Sequence, residues 1–206
     1  MKVKICGIRD ISTALFAIEN RADALGFVFA ESKRKINPEA AGEIIRELPG
    51  EVLKVGVFVN ETKATIEEIA NVSGINVIQL HGDETPEFCS SFSLPVIKAL
   101  SVGSPDDLSQ LDEFSCEYIL LDSPKGKYRG GNGVSFDWSI LNKPLQDKKM
   151  ILAGGLNPEN VGEGIKAANP YMVDVSSGVE TEGKKDPEKI KRFIDNAKCV
   201  EREEVK

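Results

Sequence analysis

Eight short apolar runs alternate with helical patterns from one end of this chain to the other, and that alternation limits what it can fold into. The runs are Val3–Ile5, Ala24–Phe29, Leu53–Val59, Val77–Leu80, Val96–Leu100, Tyr118–Leu121, Met150–Ala153 and Tyr171–Val175. Leu53–Val59 is almost continuous in apolar character, as suits a parallel strand covered on both faces. Asn37-Pro38-Glu39, Thr85-Pro86-Glu87, Asn157-Pro158-Glu159 and Asp186-Pro187-Glu188 lie between the runs. Each places a capping side chain, a proline with no N–H to lose, and an acid that favours the positive end of a helix. Within Thr62–Val72, Ile66, Ile69 and Ala70 fall at helical spacing. Repeated strand–helix units predict a parallel sheet with helices outside, and eight of them close naturally into a (β/α)8 barrel. An open doubly wound sheet is the alternative. With 206 residues the chain has enough for one well-filled core and is short for two. We expect one barrel domain over residues 1–200 and a charged tail over 201–206 that frays.

Composition narrows the function. A formal net charge of −7 argues against an extended basic footprint for nucleic acid. It leaves room for a small anion, because backbone N–H groups can hold one locally. No stretch approaches the roughly 20 apolar residues that span a bilayer, so no membrane role is expected. Met1–Cys6 enters strand pattern at once, without the apolar region of a signal peptide. Cys6, Cys89, Cys116 and Cys199 form no Cys-x-x-Cys pair, and the single histidine leaves too few ligands for zinc. These features point to a reduced, cytoplasmic protein.

The polar residues inside the apolar runs carry the chemistry. In a barrel, alternate strand residues point inward, and activity sits at the C-terminal strand ends. Lys4 and Cys6 share one face of the first run, Gln79 and His81 one face of the fourth. Lys98, Asp122 and Asp174 interrupt the fifth, sixth and eighth. An unpaired buried charge is costly, so Lys4, Lys98 and Asp174 are either inner ion pairs or site residues. Cys6 ends its strand beside Gly7, where the chain can turn and a ligand approach. It is either a catalytic thiol or a small buried hydrophobe. Asp122 follows Ile119-Leu120-Leu121, a setting that suits a proton donor. The plainer alternative is a cap for the turn at Ser123-Pro124. His81 is either a supporting residue or a general base.

Two loops look built for phosphate. Gly154-Gly155-Leu156-Asn157-Pro158 follows the seventh run, and Ser176-Ser177-Gly178-Val179 the eighth. Small residues bare their N–H groups, and loops in these positions hold phosphate in barrels of this kind. Ordinary glycine turns are the alternative. Gly130-Gly131-Asn132-Gly133 lacks the context of a nucleotide loop and suits a flap.

Taken together, Lys4-Ile5-Cys6-Gly7, Leu25–Phe29, Val55–Asn60, Gln79-Leu80-His81-Gly82, Leu120-Leu121-Asp122, Gly130–Gly133, Ala153–Asn160 and Val173–Glu180 resemble the phosphoribosylanthranilate isomerase family of tryptophan biosynthesis. The resemblance implies a barrel that performs an Amadori rearrangement without metal or organic cofactor. It implies that Asp122 is the general acid and Cys6 the general base. It matches Arg34 to the anthranilate carboxylate, for which a guanidinium is suited, and Asp174 to the substrate's aromatic end. The plainer alternative for Arg34, in the loop after the second strand, is a solvated charge in Lys33-Arg34-Lys35. The expected partner is a phosphorylated small molecule, and the expected assembly a monomer or homodimer. This chain has Ser32-Lys33-Arg34 where the family usually has Ser-Pro-Arg. It has Gly130-Gly131-Asn132-Gly133, with Gly131 and Asn132 at the flap, where Gly-Gly-Thr-Gly is usual. A related histidine-pathway isomerase uses aspartate where this strand ends in Cys6. A barrel that binds a phosphometabolite without turnover would need no acid–base pair.

Overall fold

Each apolar run becomes a strand. A computed structural model of the chain describes residues 1–122, 138 and 148–200. The strands are β1 (Lys2–Cys6), β2 (Ala24–Val28), β3 (Leu53–Phe58), β4 (Val77–Leu80), β5 (Val96–Ser101), β6 (Tyr118–Asp122), β7 (Lys149–Leu152) and β8 (Met172–Val175). Each pairs in parallel with the next, and β8 returns to β1 to close a barrel. Lys4 stands opposite Ala24 on one side and Asp174 on the other. Closure rules out the open doubly wound sheet. A two-stranded hairpin, β9 (Glu180–Thr181) and β10 (Lys184–Lys185), follows β8.

The helix-start triplets act largely as expected. Asn37 accepts from the Glu39 and Ala40 amides ahead of α2 (Pro38–Arg46), and Thr62 caps α3 (Lys63–Ser73). Thr85 caps the short α4 (Pro86–Cys89), and Asp186 caps α6 (Pro187–Cys199). In this numbering α1 is Ile11–Glu19 and α5 is Val161–Ala168. The Asn157-Pro158-Glu159 triplet departs from expectation. Asn157 accepts from the Glu159 and Asn160 amides, yet α5 starts only at Val161. The reason is a competing turn: Asn160 returns a bond to the Asn157 amide and donates to the Gly155 carbonyl. Asn160, just beyond the triplet, therefore braces the glycine loop. Among the described residues, no helix is long and apolar enough to cross a membrane.

Two apolar shells follow from the strand alternation. Ala24, Val55, Val77, Ile97, Leu120 and Ile151 fill the barrel, while Ile5, Phe27, Phe58, Ile119 and Phe193 pack between strands and helices. Ile97 and Ala99 point inward, so Lys98 points outward, a correction to its expected place inside the barrel. There its ammonium lies 2.6 Å from the buried Glu84 carboxylate and 2.8 Å from the Gly82 carbonyl. Glu84 also accepts from the Asn60 and Gly82 amides at 2.8 Å each. The pair thus ties the loops after β3 and β4 to β5. Removing one partner leaves a buried charge uncompensated. Lys98→Met should cost about 3–5 kcal/mol in urea unfolding. A loss within about 0.5 kcal/mol, typical of surface changes, would show that the pair does not hold these loops.

Candidate active site

The C-terminal strand ends surround a cavity of about 980 Å³. Cys6 lines it from the end of β1, and Asp122 from the end of β6. The thiol has its place because Gly26 lies beside it: a Cβ there would stand 2.7 Å from Sγ. Val28 and Val57 pack against it. The chain turns away at Gly7 with φ +85°, a left-handed conformation that suits glycine. One inward position below, Lys4 is fully buried and its Nζ lies 3.0 Å from Asp174. Burial pushes the Cys6 thiol up, Lys4 opposes, Asp174 adds to the rise and Lys185 opposes it. The balance is a raised pKa, so the resting group is the thiol. The inner-pair alternative therefore describes both Lys4 and Asp174, while Asp174 still lines the cavity.

Asp122 faces a set centred on the His81 imidazole. His81 Nε2 lies 3.3 Å from an Asp122 carboxylate oxygen. The Gln79 amide nitrogen lies 3.2 Å from His81 Nδ1. With the Gln79 amide donating to Nδ1, the ring carries its proton on Nε2 and directs it at Asp122. His81 thus bridges Gln79 and Asp122 at the cavity wall. The proposed turn at Ser123-Pro124 and the flap residues Gly131 and Asn132 lie outside the described residues.

The two expected phosphate loops meet across the rim. Gly154 and Gly155 have φ of +79° and +68°, so the chain reverses there as few other residues allow. Gly154, Gly155, Leu156, Ser176 and Ser177 line the cavity. Gly178 has a packing task as well. A Cβ on it would stand 1.9 Å from the Leu156 carbonyl oxygen, so its bareness lets the loops interlock. Ser176 Oγ donates to the Cys6 carbonyl at 3.2 Å, linking this rim to the thiol.

Arg34 also lines the cavity, but it is no solvated charge. Its Nε and Nη2 donate to the two oxygens of Glu180 at 2.7 and 2.8 Å. Lys185 donates to the same carboxylate at 2.7 Å and to the Ser176 carbonyl at 2.9 Å. Sequence reasoning missed this triad. Its signal was present: Glu180 and Lys185 sit among the residues just after the eighth strand, where rim loops form.

The whole-chain comparison decides between families that share this architecture. The family model for N-(5'-phosphoribosyl)anthranilate (PRA) isomerase matches residues 3–196. The chain belongs to the phosphoribosylanthranilate isomerase family. A family member from Bacillus cereus (strain B4264) is 56% identical over 200 residues, covering 96% of this chain and 98% of the relative. The crystal structure of phosphoribosyl anthranilate isomerase from Thermotoga maritima superposes with a TM-score of 0.88 at 46% identity, covering 96% of this chain and 98% of that one. Another structure of the isomerase, in complex with reduced 1-(o-carboxyphenylamino)-1-deoxyribulose 5-phosphate, gives a TM-score of 0.85 at 45% identity, with the same shares covered.

In this family member the rim triad carries a pH signature. Burial pushes the Glu180 carboxyl up, but the Arg34 hydrogen bonds and the Lys185 charge outweigh it and hold it at about 2. A depressed carboxyl contributes stability above its unfolded pKa and loses it as pH falls through the folded one. The stability gap between the wild type and Glu180→Gln should therefore be widest above pH 4.5 and close toward pH 2. Urea unfolding across that range measures it. A gap independent of pH would mean that the carboxylate charge is not what the triad uses.

Proposed function

We propose that this chain catalyses the Amadori rearrangement of N-(5-phosphoribosyl)anthranilate to 1-(2-carboxyphenylamino)-1-deoxyribulose 5-phosphate, in the cytoplasm, as one barrel unit over residues 1–200. One observation carries the residue assignment: a thiol on β1 and a carboxyl on β6, three strands apart around the closed barrel, line the same cavity. Opening the ribose ring needs an acid, and removing a carbon-bound proton needs a base on another side.

Asp122 protonates the ribose ring oxygen, and the ring opens to a Schiff base. Cys6 removes the proton from the sugar C2, and the enolamine tautomerises to the ketone. His81 keeps Asp122 oriented toward the sugar. The loops at Gly154–Leu156 and Ser176–Ser177 hold the phosphate, and Gly178 keeps them together. Arg34 spends Nε and Nη2 on Glu180, so Nη1 is the edge it offers to the anthranilate carboxylate. Asp174 bounds the aromatic end while it holds Lys4. The reaction so written needs no cofactor.

Two measurements test this mechanism. Cys6→Ser and Asp122→Asn should each lower kcat by about 10²–10⁴ while the protein stays folded and still binds product. A Cys6→Ser enzyme with near wild-type turnover would return Cys6 to a buried hydrophobe and move the base to His81 or Asp174. Gly155→Val places a branched side chain at φ +68° in the phosphate loop. It should weaken product and inorganic phosphate binding together, read by calorimetry. Unchanged affinity for both would remove phosphate from this loop.

A further inference from the structure

The charges around Cys6 do not cancel. Lys4 on β1 faces it from below, and Asp174 on β8 neutralises Lys4 at 3.0 Å. From the rim, Arg34 and Lys185 share one carboxylate, Glu180. This buried set therefore holds three cations against two carboxylates, and a Cys6 thiolate would complete it. β2 and β3 present only Gly26, Val28 and Val57 to the thiol. His81 and Asp122 face the same cavity from β4 and β6.

Lys185 is the cation whose placement is least explained by folding alone. It lies on a two-residue strand, yet its side chain is only 6% exposed. Its Nζ is fixed by the Ser176 carbonyl at 2.9 Å, Ser176 Oγ at 3.5 Å and Glu180 at 2.7 Å. Ser176 in turn holds the Cys6 carbonyl. The ammonium is thus anchored one residue contact away from the base, in a setting with little water to screen it. A salt bridge to Glu180 alone could form at the surface, with both side chains extended.

We propose that Lys185 is a positioning residue for the reaction, a fixed buried ammonium that stabilises the Cys6 thiolate as Cys6 is readied to take the substrate proton. Burial of the thiol works against ionisation, and the Lys185 charge offsets part of that cost. Lys185 does not line the cavity, so its effect reaches the substrate through Cys6. The inference rests on Cys6 being the base.

The alkylation rate of Cys6 by iodoacetamide against pH, followed at its own peptide by mass spectrometry, reports the thiolate midpoint directly. Lys185→Met should raise the midpoint by about one pH unit, as loss of one neighbouring opposite charge does. It should lower kcat about tenfold with KM nearly unchanged. Lys185→Arg keeps the charge and should restore both. Glu180→Gln removes a negative charge beside Lys185 and Arg34, so its midpoint should move down. A purely structural role for Lys185 would not give shifts of opposite sign. If Lys185→Met does not fold, Lys185→Gln, which keeps a hydrogen-bonding side chain without the charge, takes its place and should show the same upward shift. An unmoved midpoint in these variants, or shifts in one direction, would overturn the proposal. Failure of the base assignment appears separately, as turnover retained by Cys6→Ser.

Discussion

The Lys4–Asp174 ion pair sits at the seam where the last strand meets the first. Lys4 is fully buried and stands opposite Asp174 in the β1–β8 register. An uncompensated ammonium in that interior would be costly, so the register that brings Asp174 to it is strongly preferred over a slipped one. A slip of one residue would also turn Cys6 from the barrel toward the helices. The same contact that closes the barrel therefore places the thiol, and two residues beyond Asp174 it places Ser176 within reach of the Cys6 carbonyl. Closure and site geometry are consequences of one pairing.

Outside the barrel, charge serves to hold loops. Lys98 and Glu84 join β5 to the loops after β3 and β4, just beyond His81. Arg34, Glu180 and Lys185 join the loop after β2 to the hairpin after β8. Both clusters are largely buried and richly hydrogen-bonded, the condition under which ion pairs specify a geometry rather than merely decorate a surface. Glycines complete the arrangement by absence of volume: Gly26 leaves space for the thiol, and Gly178 lets the loops after β7 and β8 interlock.

Several features were legible from residues alone for physical reasons. Strand count follows from apolar runs of the length a parallel barrel needs. Caps follow from short-range hydrogen bonds, since Asn37, Thr62, Thr85 and Asp186 each bond within three residues. Cys6 and Asp122 stand out because a polar residue at an apolar strand's C-terminal end lies at the rim of this fold. The Asn157 triplet shows the limit of local rules. Its side chain accepts the amides expected of a cap, but Asn160 bonds back to Gly155 and the helix starts only at Val161.

By itself the sequence determined the alternation of strand and helix, the positions of the caps, and which polar residues end up at strand ends, because each depends on chemistry within a few neighbours. Tertiary structure decided the rest. Two-residue periodicity divides Val96–Leu100 into two faces but does not say which is inside; closure of the barrel sends Ile97 and Ala99 in and Lys98 out. Arg34 looks solvated in its own segment because its partner, Glu180, lies 146 residues away. Partners so distant in sequence are chosen by strand register and loop packing, which only the closed barrel supplies.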